Sequence, residues 1–538
     1  MTKFVRAIKD FSGGLSEVAN DNIPDNRLIV AKNAIPGDGY GISRAHGTSV
    51  AYEKIPTDGP VVLLVELEVK KNGEREPHVI AFTEKDALWN MWDWDGESWT
   101  QVSDATLDPS DPTDDMLPVR DWLVYDNKLL WLDGAHFRYY DGSEITEVAN
   151  IDQTPEFWQR VQTAVAMEHR APYWFFATNN NEILVSKPWR YDEFDETKLT
   201  NITSGVTDTI TALHQFNDGL LIFQKRSIWY MTGWNFSDFT DVSLKKLSVE
   251  SGTRWPKSIK TISNAVLYLG DHGVYRLSIP YVSSSVAASN VSEKQASRHL
   301  TEVNAVDVCA EVYDGAYYIT LRTPTEILEY RYYLDSGAWW GEYTQRPYCY
   351  GIKLLGEDHL YIGCDNGYVL YYDDNSYHYI ATATGTMASI PVEIKTKGYD
   401  VIGHTVVDSK VKRVFLVLKQ YDAEKSGLEV QVKTDYMEGA FAAKIDSMKD
   451  VLTAVLRDIE GDESMVWSES IWGNVYWGWV DVVTKMFQLN RKCKRIQFVF
   501  RDDKDEPLLI YGIALQFKKK KAKGSRLGVT ERAVRYDD

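Results

Sequence analysis

Cysteine is scarce in this chain of 538 residues: Cys309, Cys349, Cys364 and Cys493 stand far apart, and no CxxC occurs. That spacing excludes the usual zinc frameworks. The opening MTKFVRAIKDFSGG reads as carrying no secretory signal, so reduced, buried thiols are the expected state. No apolar run reaches 18 residues, which predicts no transmembrane helix and no membrane insertion. Positive charge is also in deficit. Lys and Arg number 59 against 78 Asp and Glu, a net charge of −19. A chain so acidic is a poor candidate for tight nucleic-acid binding and a good one for solubility at high concentration. Catalytic signatures are missing as well: there is no HExxH or HxH, no Gly-x-Ser-x-Gly elbow and no phosphate-binding GxxxxGK[ST] loop.

Aromatic residues are abundant, at 13% of the chain, with 32 Tyr, 18 Trp and 18 Phe. They favour strands. From about residue 60 they recur in a loose repeat: a polar turn, a short apolar strand, a second turn, then a strand ending in Tyr or Trp. Clear copies are YDNKLLWLDGAHFRYYDG from Tyr125, FNDGLLIFQKRSIWYMTG from Phe216, ISNAVLYLGDHGVYRLS from Ile262 and GEDHLYIGCDNGYVLYYDD from Gly356. Turn markers near Glu84, Asn127, Asn180, Asp218, Asn264, Asp314 and Asp358 are separated by steps of 43, 53, 38, 46, 50 and 44 residues. Propeller blades repeat at about 40–50 residues. The expectation is an all-β chain with a propeller of about seven blades, six to eight fitting the count, over residues 60–389.

Near residue 390 the strands lengthen and aromatics thin out. DSKVKRVFLVLK from Asp408 resembles NRKCKRIQFVFR from Asn490, and alternation places Val414, Leu416 and Leu418, or Ile496, Phe498 and Phe500, on one face. Residues 390–517 therefore read as a β-sandwich. Between the two copies IDSMKDVLTAVLRDI reads as a helix or connector, and WSESIWGNVYWGW, with four Trp in thirteen residues, as strand or loop. Residues 518–538 read as a basic, extended tail. Residues 1–59 read as an extended arm that also closes the propeller.

The candidate sites weigh as follows. YLDSGAWWGEY carries Asp335, Gly337 and Trp340 at the offsets of a sialidase-type Asp-box, with Tyr333 and Trp339 where Ser and Thr belong. WDWDGESWTQV places Asp95 one residue out of register. Both read as blade turns whose Asp caps backbone N–H groups. The acidic cluster Asp108–Asp115 suits a solvated loop better than calcium. The histidines stand singly, and the Gly-rich GDGYG lacks a strand–helix context. No catalytic residue, cofactor or metal is expected. The Trp and Tyr excess serves either blade cores or a glycan-stacking surface.

The stretch FSGGLSEVANDNIPDNRLIVAKNAI, Phe11 to Ile35, has no core pattern. With its Phe11, Gly13, Gly14, Leu15, Pro24, Asp25 and Asn33, followed by Arg44 and Gly47, it resembles the N-terminus of β-propeller structural proteins of bacteriophage tails, of the tail-nozzle or packaged-DNA stabilisation type. Ile210–Gly233 and Ser251–Ser278 are similar to the same family; Ser16 and Ala45-His46 depart from it. The resemblance implies a non-enzymatic virion tail protein, assembled in the host cytoplasm. Copies would form a ring, a hexamer by the symmetry of the tail axis, in contact with other tail or adaptor proteins. Packaged DNA would pass through the lumen without specific binding and be retained, then released. It implies interface roles for Phe11, Gly13, Gly14, Leu15, Val30 and Ile35, and docking roles for Lys518, Lys519, Lys520 and Lys521. The alternative is a receptor- or glycan-binding tail protein.

Overall fold

A computed structural model describes residues 4–18, 23–71, 74–85, 88–102, 117–202, 208–234, 239, 242–249, 251–278, 287–296, 300, 305–381, 385–401, 409–419, 428–434, 437–444, 482–504 and 506–519. The segments IDSMKDVLTAVLRDI and WSESIWGNVYWGW, the Asp108–Asp115 cluster and residues 520–538 lie outside them. The described chain is almost entirely antiparallel β, with one short helix, Pro155–Gln162, capped by Thr154.

Six free-standing four-stranded sheets are arranged as propeller blades: residues 61–102, 121–147, 166–201, 210–246 and 260–290, and residues 349–373 completed by Gly47–Val50. Each is a meander, and turn chemistry fixes the hairpins. Tyr125 pairs with Lys128 across Asp126-Asn127 (φ 48° and 58°), and Tyr313 with Ala316 across Asp314-Gly315 (φ 44° and 69°). Two successive positive φ values match the twist of the flanking strands. The second strands, such as Tyr173–Ala177, Gly219–Gln224 and Ala265–Gly270, are buried at every residue. Both their faces are covered by neighbouring blades, which is why YWFFA and AVLYLG read as continuous apolar runs.

The expected count of seven blades is corrected to six. The repeat at residues 307–343 forms the same four-stranded meander, but it is not free-standing: its last strand, Ala338–Tyr343, meets Leu28–Lys32 and continues into a ten-stranded sheet. The marker steps were uneven for a related reason. Asn127, Asp218 and Asp314 lie between the first and second strands of their units, whereas Glu84 lies near the end of the second strand and Asn180 between the second and third.

The C-terminal strands do not fold as a unit of their own. Val392–Thr396, Arg495–Asp502, Glu429–Thr434 and Met437–Lys444 extend the ten-stranded sheet beyond Leu28–Lys32. Ser409–Lys419, Val482–Cys493 and Leu509–Lys519 form a six-stranded sheet together with Phe4–Ile8, Ala34–Gly37 and Gly41–Arg44. Val414, Leu416, Leu418, Ile496, Phe498 and Phe500, expected on an inner face, are all buried in one apolar cluster shared by the two sheets. The boundary at residue 390 is therefore crossed by N-terminal strands in both sheets.

Gly14 joins these parts. Its φ is +62°, and a Cβ there would lie 2.4 Å from the Trp339 carbonyl oxygen. Gly14→Ala is expected to lower stability by about 1–3 kcal/mol. Gly96→Ala, at φ +100° with open space around it, is expected to cost less. Thermal unfolding of the two variants side by side checks this; equal losses would mean that strain alone, not the contact with Trp339, constrains Gly14.

Candidate functional site: the axial cavity and the N-terminal junction

The first strands of all these units converge on a cavity of about 520 Å³. Its wall includes Glu66, Asp121, Glu168, His214, Lys260 and Glu311, with the thiols of Cys309 and Cys349. The volume holds about 17 waters at roughly 30 Å³ each. It is far too small for a nucleic-acid duplex.

The wall carboxylates look like a catalytic array, but each binds one unit to the next. Asp121 accepts from Trp122 N and, across the blade boundary, from Met167 N at 2.8 Å. Glu168 accepts from His169 N and, on the following blade, Gln215 N at 3.1 Å. His214 Nε2 meets Thr261 Oγ1 at 2.7 Å, and Lys260 Nζ donates to Glu311 at 2.7 Å. Between the first two blades the Tyr140 hydroxyl donates to Asp93, whose other oxygen meets His78. The circuit is completed by Leu355 N, which donates to Glu66, and by the Cys349 thiol, which donates to Val61 O.

Burial pushes the Asp121 and Glu168 carboxyls up to about 7 and the His214 imidazole down to about 4. Burial also raises the thiols of Cys309 and Cys349, the latter to about 12, which disfavours the reactive thiolate; all four cysteines are buried, with no disulfide among the described residues. Among the described residues no three His, Cys, Asp or Glu side chains come together as a metal site. Asp95 behaves as its turn predicted: its carboxylate accepts from Ser98 N and Glu97 N, which hold it below the usual range.

The second locus is the junction built by the opening segment. Phe11, Leu15 and Ile35 are buried in the chain's own core, and Gly14 is packed under Trp339, so these proposed interface residues are taken up by intrachain contacts; Gly13 and Val30 keep partial exposure. Leu15 N donates to Trp339 O at 2.8 Å. Asn33 is fully buried. Its side chain donates to Thr344 Oγ1 and Pro391 O and accepts from Thr344 N, tying the end of the 307–343 meander to the strand that starts the C-terminal sheets. Arg44 is paired with Asp502 at 3.1 Å, both buried. Gly47 lies so close to the His378 carbonyl that a Cβ would come within 2.0 Å. The roles of Asn33 and Arg44 were not legible in sequence, because their partners are 311 and 458 positions away in the chain.

Lys518 and Lys519 end the strand Leu509–Lys519, and Lys520 and Lys521 lie outside the described residues. Lys518 is in register with Lys410, which is in register with Lys492 on its other side, so three lysines stand in a row across three strands. Lys412 is next to them, its pKa lowered by the charges of Lys410 and Lys518. Like charges directly opposite each other destabilise a sheet. The row breaks the acidic character of the chain, and the sequence concealed it because its members come from three distant segments.

Two outcomes are expected here. A carboxyl whose pKa is higher in the fold than in the unfolded chain stabilises fully below its unfolded value of about 4 and loses that contribution as pH rises through about 7. Urea unfolding at about pH 5.5 and about pH 8.5 should therefore show a smaller decline for Asp121→Asn/Glu168→Gln than for the unaltered chain. His214 acts in the opposite sense, losing its contribution as pH falls below about 6.5, and is unchanged in that comparison. Parallel pH profiles would refute the assignment. Separately, Asp502→Asn leaves the Arg44 guanidinium buried without its counter-charge and is expected to cost about 3–5 kcal/mol, read from the same denaturation curves.

No protein-family profile and no curated protein matches the chain. Solved structures match it at low identity and low TM-score. A computationally designed protein, Ika8, is 12% identical, with 61% of this chain and 100% of that one covered and a TM-score of 0.35. BBS1N, solved in complex with ARL6DN, is 10% identical, with 61% and 98% covered and a TM-score of 0.39. The extracellular domain of the BT4673 one component system of B. thetaiotaomicron is 10% identical, with 90% and 64% covered and a TM-score of 0.41.

Proposed function

We propose that this protein is a non-enzymatic structural component of a bacteriophage tail. Several copies, six by the symmetry that the resemblance implies, would form a ring around the DNA channel and help retain and then release packaged DNA. One observation carries this reading: the residues of the resemblance are spent on joints within the fold, Gly14 and Leu15 on the 307–343 meander, Asn33 between that meander and the C-terminal strands, Arg44 between the two C-terminal sheets, and Gly47 where the last blade meets His378. A motif spent on joints suits a scaffold.

Further support comes from the axis and the surface. The wall carboxylates are occupied as latches, which leaves no free acid–base pair among them. The cavity is too small for DNA, so the lumen belongs between copies. In this reading the meander at residues 307–343 links the six-bladed propeller to the two C-terminal sheets, which act as a sandwich that spaces the propeller from its neighbours. The row of Lys410, Lys492 and Lys518 docks on the acidic surface of the adjacent copy, a head-to-tail contact of the kind that closes rings. The second reading, a glycan-binding tail protein, is favoured by Trp189, whose ring is 54% exposed.

Negative-stain imaging with mass photometry tests the ring, on the protein alone and mixed with the tail proteins encoded beside it. A ring with a central channel is expected, and Lys410→Glu/Lys492→Glu/Lys518→Glu should convert it to smaller species, as should high salt. A monomer under every condition would overturn the proposal.

A further inference from the structure

The six-stranded sheet turns one face to the core and the other to solvent. Alternation along Phe4–Ile8, Leu509–Lys519, Ser409–Lys419 and Val482–Cys493 sorts residues between the two. Val414, Leu416, Ile513 and Leu515 are buried, while Phe415 and Ala514 between them keep partial exposure. None of the chain's 78 Asp and Glu falls on these four strands. The outer face carries the lysine row, Lys518–Lys410–Lys492. One row further along the strands stands an apolar row, Ala7–Ala514–Phe415–Met486, each residue in register with the next. Met486 is 46% exposed, and Val5, between the two rows, 64%. A contiguous apolar row beside clustered positive charge marks an interaction surface.

The chain also carries a surface of the opposite character. Each first strand lies at the axis and each unit is a meander, so the turns between first and second strands gather at one end of the propeller. Successive turns touch there: Arg170 meets Asp218 of the following blade at 3.6 Å, and the Tyr313 hydroxyl donates to Asp358 O at 2.6 Å. Asp314, Asp358 and Asp374 are all exposed around this corner. Burial, then the charges of Asp358, Asp314 and Asp374, raise the Tyr313 hydroxyl. Lys353 lies 3.9 Å from Asp358 and His46 4.0 Å from Asp374. Ile352, 40% exposed, adds apolar surface beside the same turn.

We propose that the outer face of this sheet docks on the Tyr313 corner of a second copy, with Lys410, Lys492 and Lys518 against Asp314, Asp358 and Asp374. The apolar row then covers the Tyr313 ring and Ile352. This assignment rests on the ring reading and names the two patches that make the contact. Charge complementarity selects the pairing, since neighbouring strands are about 4.8 Å apart and the crowded lysines need several carboxylates at once. The apolar row favours a protein over a nucleic acid: phosphates would pair with the lysines but leave Phe415 and Met486 in water.

Carbodiimide coupling, which joins Lys directly to Asp or Glu, tests the contact on an equimolar mixture of unlabelled and heavy-nitrogen-labelled full chain. Mixed-isotope links from the three lysines to Asp314, Asp358 or Asp374 are expected. A charge exchange adds a second readout. One variant is Lys410→Glu/Lys492→Glu/Lys518→Glu; the other is Asp314→Asn/Asp358→Lys/Asp374→Lys, with Asn at 314 because φ there is 44°. Each alone should self-associate about tenfold or more weakly by mass photometry, and their equimolar mixture should recover the assembly. If either fails to fold by circular dichroism, its all-Gln or all-Asn counterpart takes its place and should weaken association. Assembly with links elsewhere, or assembly that the aspartate variant leaves unchanged, overturns the docking face and spares the ring. A monomer throughout overturns both. If the lysine variant assembles normally but loses binding to a short labelled DNA duplex, the face is a nucleic-acid contact and the proposal falls.

Discussion

Everything in this fold depends on the first fifty residues being used as strands by sheets they do not begin. Phe4–Ile8 and Gly41–Arg44 pair with Leu509–Lys519 near the other end of the described chain. Leu28–Lys32 lies between the 307–343 meander and Val392–Thr396, and Gly47–Val50 completes the last blade. Backbone groups on these strands must be paired once buried, so propeller and C-terminal sheets cannot reach their final form independently. The buried Arg44–Asp502 pair and the five hydrogen bonds of Asn33 fix the register of that closure. Contacts of such sequence separation form late and slowly.

Inside the propeller, the same economy governs the polar groups. An acid such as Asp121 or Glu168 at the hub would ordinarily suggest chemistry, because a carboxyl pushed up to about 7 is poised for proton transfer. Here both oxygens of each carboxyl are occupied by backbone N–H groups, one of them on the following blade. The perturbation is a consequence of using a charged group as a mechanical latch in a desolvated place. A structural ion-pair or hydrogen-bond network perturbs pKa values as effectively as an active site does.

The repeats were legible because hairpin turns are local. Asp-Asn and Asp-Gly pairs with positive φ announce themselves in sequence, and the blade strands between them are continuous apolar runs. The count was not legible, because whether a meander stands alone or fuses into a larger sheet is decided by Leu28–Lys32, some 300 residues away. The opening segment read as turn because its strands are only four or five residues long and take their partners from elsewhere. Turn residues dominate it for a reason: Gly14 at φ +62° and Asn33 at φ 51° are sites where the chain changes sheet.

The lysine row makes the last point about charge. On a chain with net charge −19, evenly spread acids would keep copies apart in every orientation. Placing Lys410, Lys492 and Lys518 side by side costs local stability through repulsion, yet it leaves one orientation in which a neighbour's acidic surface is attracted instead of repelled. Such a contact is directional: the patch on one copy differs from the patch it meets on the next. Repeated, it must either close into a ring or continue as a filament. In the proposed assembly, general repulsion of like-charged copies would limit alternative contacts, and the row of three lysines would give the remaining contact its direction.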